Sequence, residues 1–166
     1  MKRDDAEEAI LYLFREHGNQ VNKFAFYMLG NREEAADAVQ EIFLRISKSI
    51  SKVHDTDNLK AWMWIIARNH ICDVARKNRI RKTVSLEFGG LESLPDRRVD
   101  PDTSLVLMEC IAQLPLPQRQ VVVLRLIKDL SIEESASILG RSPGYVRVAL
   151  HRALQSMSKI IQGNET

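Results

Sequence analysis

The sequence predicts an all-α protein: two small helical domains joined by a flexible linker. Three observations carry this. Apolar residues recur at helical spacing through most of the 166 residues, and nothing alternates as a strand does. Helix caps and stop signals fall at regular intervals. One stretch, Thr83 to Pro101, breaks the pattern with Gly89-Gly90, Pro95, Pro101 and the acids Glu87, Glu92, Asp96 and Asp100. The boundaries are therefore 1–82, a linker at 83–101, and 102–166.

Taken in order, Asp4 or Asp5 to His17 reads as a first helix, ended near Gly18-Asn19. Val21 to Leu29 reads as a second, closed by Gly30. Asn31 caps a third, with Glu34 as its capping-box partner, running to about Ser49. Ser51 to Asn58 is polar and reads as a loop. A fourth helix spans about Leu59 to Lys82. Beyond the linker, helices are expected near Thr103–Leu114, Pro117–Ile127, Ser131–Leu139 and Ser142–Ile161.

Hydrophobic residues make up 45% of the chain, enough for real cores, and the net charge of +2 has to be read locally. Acids dominate before Gln40. Lys60 to Lys82 carries seven cations, Lys60, Arg68, Arg76, Lys77, Arg79, Arg81 and Lys82, against Asp73. Ser135 to Asn164 holds no acid but includes Arg141, Arg147, Arg152 and Lys159. Two basic zones in a near-neutral chain suggest two contacts with polyanions. Cys72 and Cys110 form no CxxC pair and read as buried thiols in a reducing compartment. No signal peptide or long apolar span is visible, so a cytoplasmic protein without membrane contact is expected.

The second basic zone reads as a helix-turn-helix. Ser131 with Glu134 makes a capping box, Gly140 supplies a left-handed turn residue, Ser142 is a good N-cap, and Pro143 fits the first helical position. At about 100° per residue, Val146, Leu150, Ala153 and Met157 stack on one face. Arg147, Val148, His151, Arg152 and Gln155 face away from it, where a recognition helix reads DNA. The plainer alternative is a helical hairpin with a solvated basic face.

On the third helix, Val39, Ile42, Phe43, Ile46 and Ile50 form a core stripe. Leu44 faces the other way among Asp37, Gln40, Glu41 and Lys48. A lone exposed leucine is ordinary. One ringed by polar groups also fits a small protein-binding site with an apolar anchor and a polar rim. On the fourth helix, Trp62, Met63, Ile66, Ala67, Val74 and Ile80 share an arc, with Arg68, Arg79 and Lys82 opposite and Arg76 at the edge. Trp64 lies near the charged face. It either stacks on an unpaired base or packs against a neighbouring helix.

Together these segments resemble the extracytoplasmic-function (ECF) class of bacterial RNA polymerase sigma factors, over about Leu11 to Lys159. DAVQEIFLRI resembles the segment that binds the clamp helices of the polymerase largest subunit. NLKAWMWIIARNHICDVARKNRIRK resembles the segments that melt and read the −10 element. QLPLPQRQVVVLRLIKDLSIEESASILGRSPGYVRVALHRAL resembles the −35-reading region. The resemblance implies a non-enzymatic specificity factor without cofactor or metal. Its partners would be RNA polymerase core, promoter DNA and an anti-sigma factor. It implies polymerase contacts from Asp37, Gln40, Glu41, Leu44, Arg45 and Lys48. It implies −10 contacts from Trp64, Arg68, Asn69, Arg76, Arg79 and Lys82. It implies −35 contacts from Arg141, Ser142, Tyr145, Arg147, Val148, His151 and Arg152. It also implies a pocket for a flipped base in the Ser51–Asn58 loop. This chain has Tyr145 where the family often carries Thr, and Val148-Ala149 where it often carries Ser-Arg. The tryptophan pair of primary sigma factors corresponds to Ile65 and Ile66.

Two other classes differ in what they need. A one-component transcription regulator requires the helix-turn-helix but neither the DAVQE helix nor the basic tryptophan helix. An enzyme requires a constellation that the motifs do not supply: there is no HExxH, GxSxG or phosphate loop. His70 and Cys72, two apart on a helix, do not share a face.

Overall fold

The computed structural model describes residues 2–81, 101–127 and 130–164, and every regular element among them is helical. Three helices form the first half: α1 (Arg3–Leu29), α2 (Arg32–Ser49) and α3 (Leu59–Arg81). Four form the second: α4 (Pro101–Gln113), α5 (Leu116–Val122), α6 (Ile132–Leu139) and α7 (Pro143–Asn164). The expected linker, except Pro101 at the start of α4, lies outside the described residues, as does Lys82.

The expected break at Gly18-Asn19 is absent, and α1 runs unbroken for 27 residues. Glycine in a helix interior costs about 1 kcal/mol, which tertiary packing outweighs here. Ala6, Leu13, Val21, Phe24 and Met28 fall on one arc of the helix and are all buried, so both halves of α1 bury a single stripe. Gly18 is itself buried, and a side chain there would meet the Phe14 ring at 3.5 Å. The true stop is Gly30, at φ 71°, whose N–H donates to Phe26 O.

α2 begins as expected, with the Asn31 side chain accepting from Glu34 N–H at 3.0 Å. Asn78 Nδ2 donates to Glu34 Oε2 at 3.0 Å and ties the end of α3 to the start of α2. The segment expected as a loop, Ser51–Asn58, is entered by one short 3₁₀ turn, Ile50–Lys52, and closed by another, Thr56–Asn58. In the second, Asp55 accepts from Asp57 N–H and from the Asn58 amide.

In the second half, α7 packs on α4, α5 and α6. The expected helix Pro117–Ile127 widens at Val123 into a π-helical segment, Val123–Ile127. Arg125 Nη1 donates to Leu130 O. The two halves also touch. α6 packs on α3, and α4 and the π segment pack on α1. Arg119 Nη1 donates to Met28 O at 3.2 Å while its Nη2 donates to Ala112 O and Leu114 O. One guanidinium thus links the end of α1 to the α4–α5 turn. Cys72 and Cys110 are buried thiols, as expected, and burial pushes the Cys72 pKa up to about 11.

The α6–α7 turn follows its sequence signals closely. Ser131 Oγ accepts from Glu134 N–H at 3.0 Å, and Glu134 Oε2 accepts from Ser131 N–H at 2.8 Å. The Glu134 carboxyl is held below the usual range first by that backbone hydrogen bond. Gly140 sits at φ 62°, and Arg141 N–H reaches back to Ala136 O at 3.0 Å. A Cβ at Gly140 meets nothing within 4 Å, so backbone strain alone decides a substitution there. Gly140→Ala should destabilise the protein by about 1–2 kcal/mol. Urea denaturation reads this directly, and an unchanged midpoint would contradict the left-handed turn.

Candidate functional site

Three surfaces gather the residues singled out by the sequence. On α2, Ile42 and Ile46 are fully buried, while Leu44 is 47% exposed on the opposite face. Asp37, Gln40, Arg45 and Lys48 are exposed around it, and Glu41 is half-buried. Arg45 Nε donates to Glu41 Oε1 at 2.9 Å, and this hydrogen bond is the main cause of the lowered Glu41 pKa. His70 on α3 is half-buried; burial first, then the Arg45 charge, lowers its pKa.

Leu44 does not stand alone, which the sequence reading missed. With Phe14, Val39 and Phe43 it lines an open groove of about 760 Å³ between α1 and α2. Arg15, Asn19, Asn22, Gln40 and Ser47 form its polar lining. Phe14 is 54% exposed and meets Phe43 edge-on, with ring centroids 5.1 Å apart. The available signal was Leu11, Phe14 and Gly18, which share a second face of α1 outside its core stripe. Gly18 on that face is part of the groove lining.

The α3 surface corrects one assignment. Trp64 is fully buried, with its ring edge-on to Phe24 at 5.8 Å between centroids. It packs in the core of the first half and is not on the charged face. α3 packs on α1, α2 and α6, so a single-arc wheel misjudges which side is apolar. The buried set is Met63, Trp64, Ala67, Ile71, Cys72 and Ala75, whereas Trp62 and Ile66 are half-buried and Ile65 is exposed. Arg68 is half-buried. Its Nε donates to Gln120 Oε1 on α5 at 3.0 Å and its Nη1 to Asn69 Oδ1 at 2.8 Å. Asn69 and Arg76 are exposed, with Arg76 paired to Asp73 at 3.1 Å. The Arg79 side chain and Lys82 lie outside the described residues.

The α7 surface matches expectation in orientation. Val146, Ala153 and Met157 are buried and Leu150 is half-buried. Arg141, Ser142, Tyr145, Arg147, Val148, His151 and Arg152 are all exposed. Ser142 Oγ accepts from Tyr145 N–H at 3.1 Å and caps the helix. The Arg141 guanidinium lies over the Tyr145 ring, 5.0 Å from its centroid. Arg147 Nη2 stands 3.7 Å from Glu133 Oε1 on α6. The result is an exposed helix face that carries both cations and apolar tips.

Residues 13–81 match the Sigma-70 region 2 family, and residues 104–157 match the Sigma-70, region 4 family. The ECF RNA polymerase sigma factor SigL of Mycobacterium tuberculosis is 30% identical over 162 residues, which cover 95% of this chain and 92% of SigL. The ECF RNA polymerase sigma factor BldN of Streptomyces coelicolor is 25% identical over 169 residues, covering 97% of this chain but 64% of BldN's own length. The fold is similar to that of the sigma factor RpoE in its complex with the anti-sigma factor NepR from Bartonella quintana. That likeness has a TM-score of 0.72 at 21% identity and covers 95% and 97% of the two chains. The two halves of this chain are thus sigma regions 2 and 4, in that order. The chain belongs to the ECF RNA polymerase sigma factors. As a sigma factor it binds RNA polymerase core and directs promoter recognition and transcription initiation.

Proposed function

We propose that residues 1–82 dock on the polymerase largest subunit and contact the −10 element, while residues 102–166 read the −35 element. The observation that carries this is the geometry of Leu44: an apolar anchor beside a groove, ringed by Asp37, Gln40, Glu41, Arg45 and Lys48. Such a centre and rim suit a helical partner that presents one apolar side chain. For the −10 element, the contacts come from Asn69 and Arg76, with Arg79 and Lys82 continuing the run in sequence, while Arg68 is engaged by Gln120 of the second half. Trp64 is not among them. The −35 contacts come from the exposed α7 face described above.

The protein acts in the cytoplasm as a specificity factor and catalyses no reaction of its own. No described helix is long and apolar enough to cross a membrane. The RpoE complex supports an anti-sigma protein as a further partner.

A photo-crosslinker placed at position 44 should attach to the largest subunit of core polymerase on irradiation. Attachment to a different subunit, or none, would contradict the docking face.

A further inference from the structure

Two arginines of the α7 surface already contact other side chains, and they do so differently. Arg141 lies on the Tyr145 ring, with a π-face as its partner. Arg147 lies beside a carboxylate, Glu133, in the first turn of α6. The turn at Gly140 brings these two helices together so that a side chain from the non-reading helix meets one from the reading helix. Both remain exposed, with side-chain accessibilities of 59% for Arg147 and 69% for Glu133, so the pair is open to DNA.

Glu133 changes what Arg147 can do. A guanidinium has five N–H donors in a planar fork. A carboxylate at ion-pair distance from one Nη, 3.7 Å, draws that fork to one side by its charge and leaves the other donors available for guanine O6 and N7. The same carboxylate offsets the positive charge that attracts phosphates, and it repels the DNA backbone. Arg147 therefore becomes a poorer phosphate anchor and a better-aimed base reader. We propose that Glu133 is a positioning residue that sets the sequence specificity of the −35 contact through Arg147. This rests on the reading of α7 as the DNA-reading helix with Arg147 at a base edge.

The bland role for Glu133 is an acid stabilising the N-terminus of α6 through the helix dipole. The two roles separate by sign. Loss of a dipole acid lowers stability and leaves base preference alone. Loss of a positioning acid lowers discrimination and raises affinity for unselected DNA.

The test uses the full chain assembled with core polymerase and a duplex library randomised over the upstream element. Wild type, Glu133→Gln, Arg147→Ala and the double variant are compared by sequencing the bound fraction. Arg147→Ala should flatten preference at one or two positions. Glu133→Gln should flatten the same positions by about two- to fivefold, the scale of an exposed ion pair. It should also bind unselected duplex more tightly, with a salt slope steeper by up to about 0.9. In base preference the double variant should match Arg147→Ala. If Arg147→Ala flattens preference but Glu133→Gln changes only the melting temperature, the positioning role is wrong and Arg147 remains a base reader. If Arg147→Ala leaves the preference intact, the base-reading assignment falls and the proposal with it.

Discussion

Leu44→Asp is expected to lower affinity for core polymerase by about 30-fold or more, with no measurable change in folding stability. The loss follows from placing an unpaired carboxylate where an apolar anchor is desolvated on binding. A central interface residue of that kind is worth about 2 kcal/mol or more, which is the stated fold-change. Stability is spared because Leu44 points away from Ile42 and Ile46, which carry the packing of α2. Titration of labelled protein with core polymerase measures the first quantity, and thermal unfolding the second. Phe14→Asp should act in the same direction, since Phe14 lines the same groove. Unchanged affinity in the Leu44 variant would remove this face from the polymerase contact.

Trp64→Ala should destabilise the protein by about 3–5 kcal/mol, the cost of deleting a large buried aromatic. The side chain is fully buried and set edge-on against Phe24, so its removal leaves a cavity between α1 and α3. Trp64→Phe should recover part of the loss. A tryptophan acting only as a stacking platform for a DNA base would behave in the opposite way: little change in stability and a clear loss of DNA binding. Urea unfolding of the two variants separates these cases. An unchanged midpoint in Trp64→Ala would contradict the core placement.

Trp64 also shows where the sequence ceases to specify its own structure. A helical wheel sorts residues into two sides, but α3 is packed by α1, α2 and α6. Its apolar surface is therefore broad, and the position of Trp64 depends on which neighbour arrives where. Gly18 misleads for a related reason: local propensity says stop, while the shared stripe from Ala6 to Met28 carries the helix through. By contrast, the α6–α7 turn was legible nearly residue by residue. Ser131, Glu134, Gly140, Ser142 and Pro143 act through hydrogen bonds and backbone angles within a few residues of themselves. The outward face of α7 followed because that helix has a single packed side. The groove beside Leu44 was half legible: Leu44 stood out, but Phe14 reaches it only through the packing of α1 on α2. Nothing local could reveal that Gln120 engages Arg68 from 52 positions away. In the packed arrangement Arg68, expected at the −10 element, is turned toward the second half of the chain.

The measurement that bears most directly on the chain as a promoter-directing subunit is transcription by purified core polymerase on genomic fragments, with and without the protein. Discrete transcripts should start at a small set of sites that share upstream elements. Those transcripts should vanish with Leu44→Asp, and Arg147→Ala should redistribute them among sites. Transcription from core polymerase that is no different with the protein present would contradict the assignment.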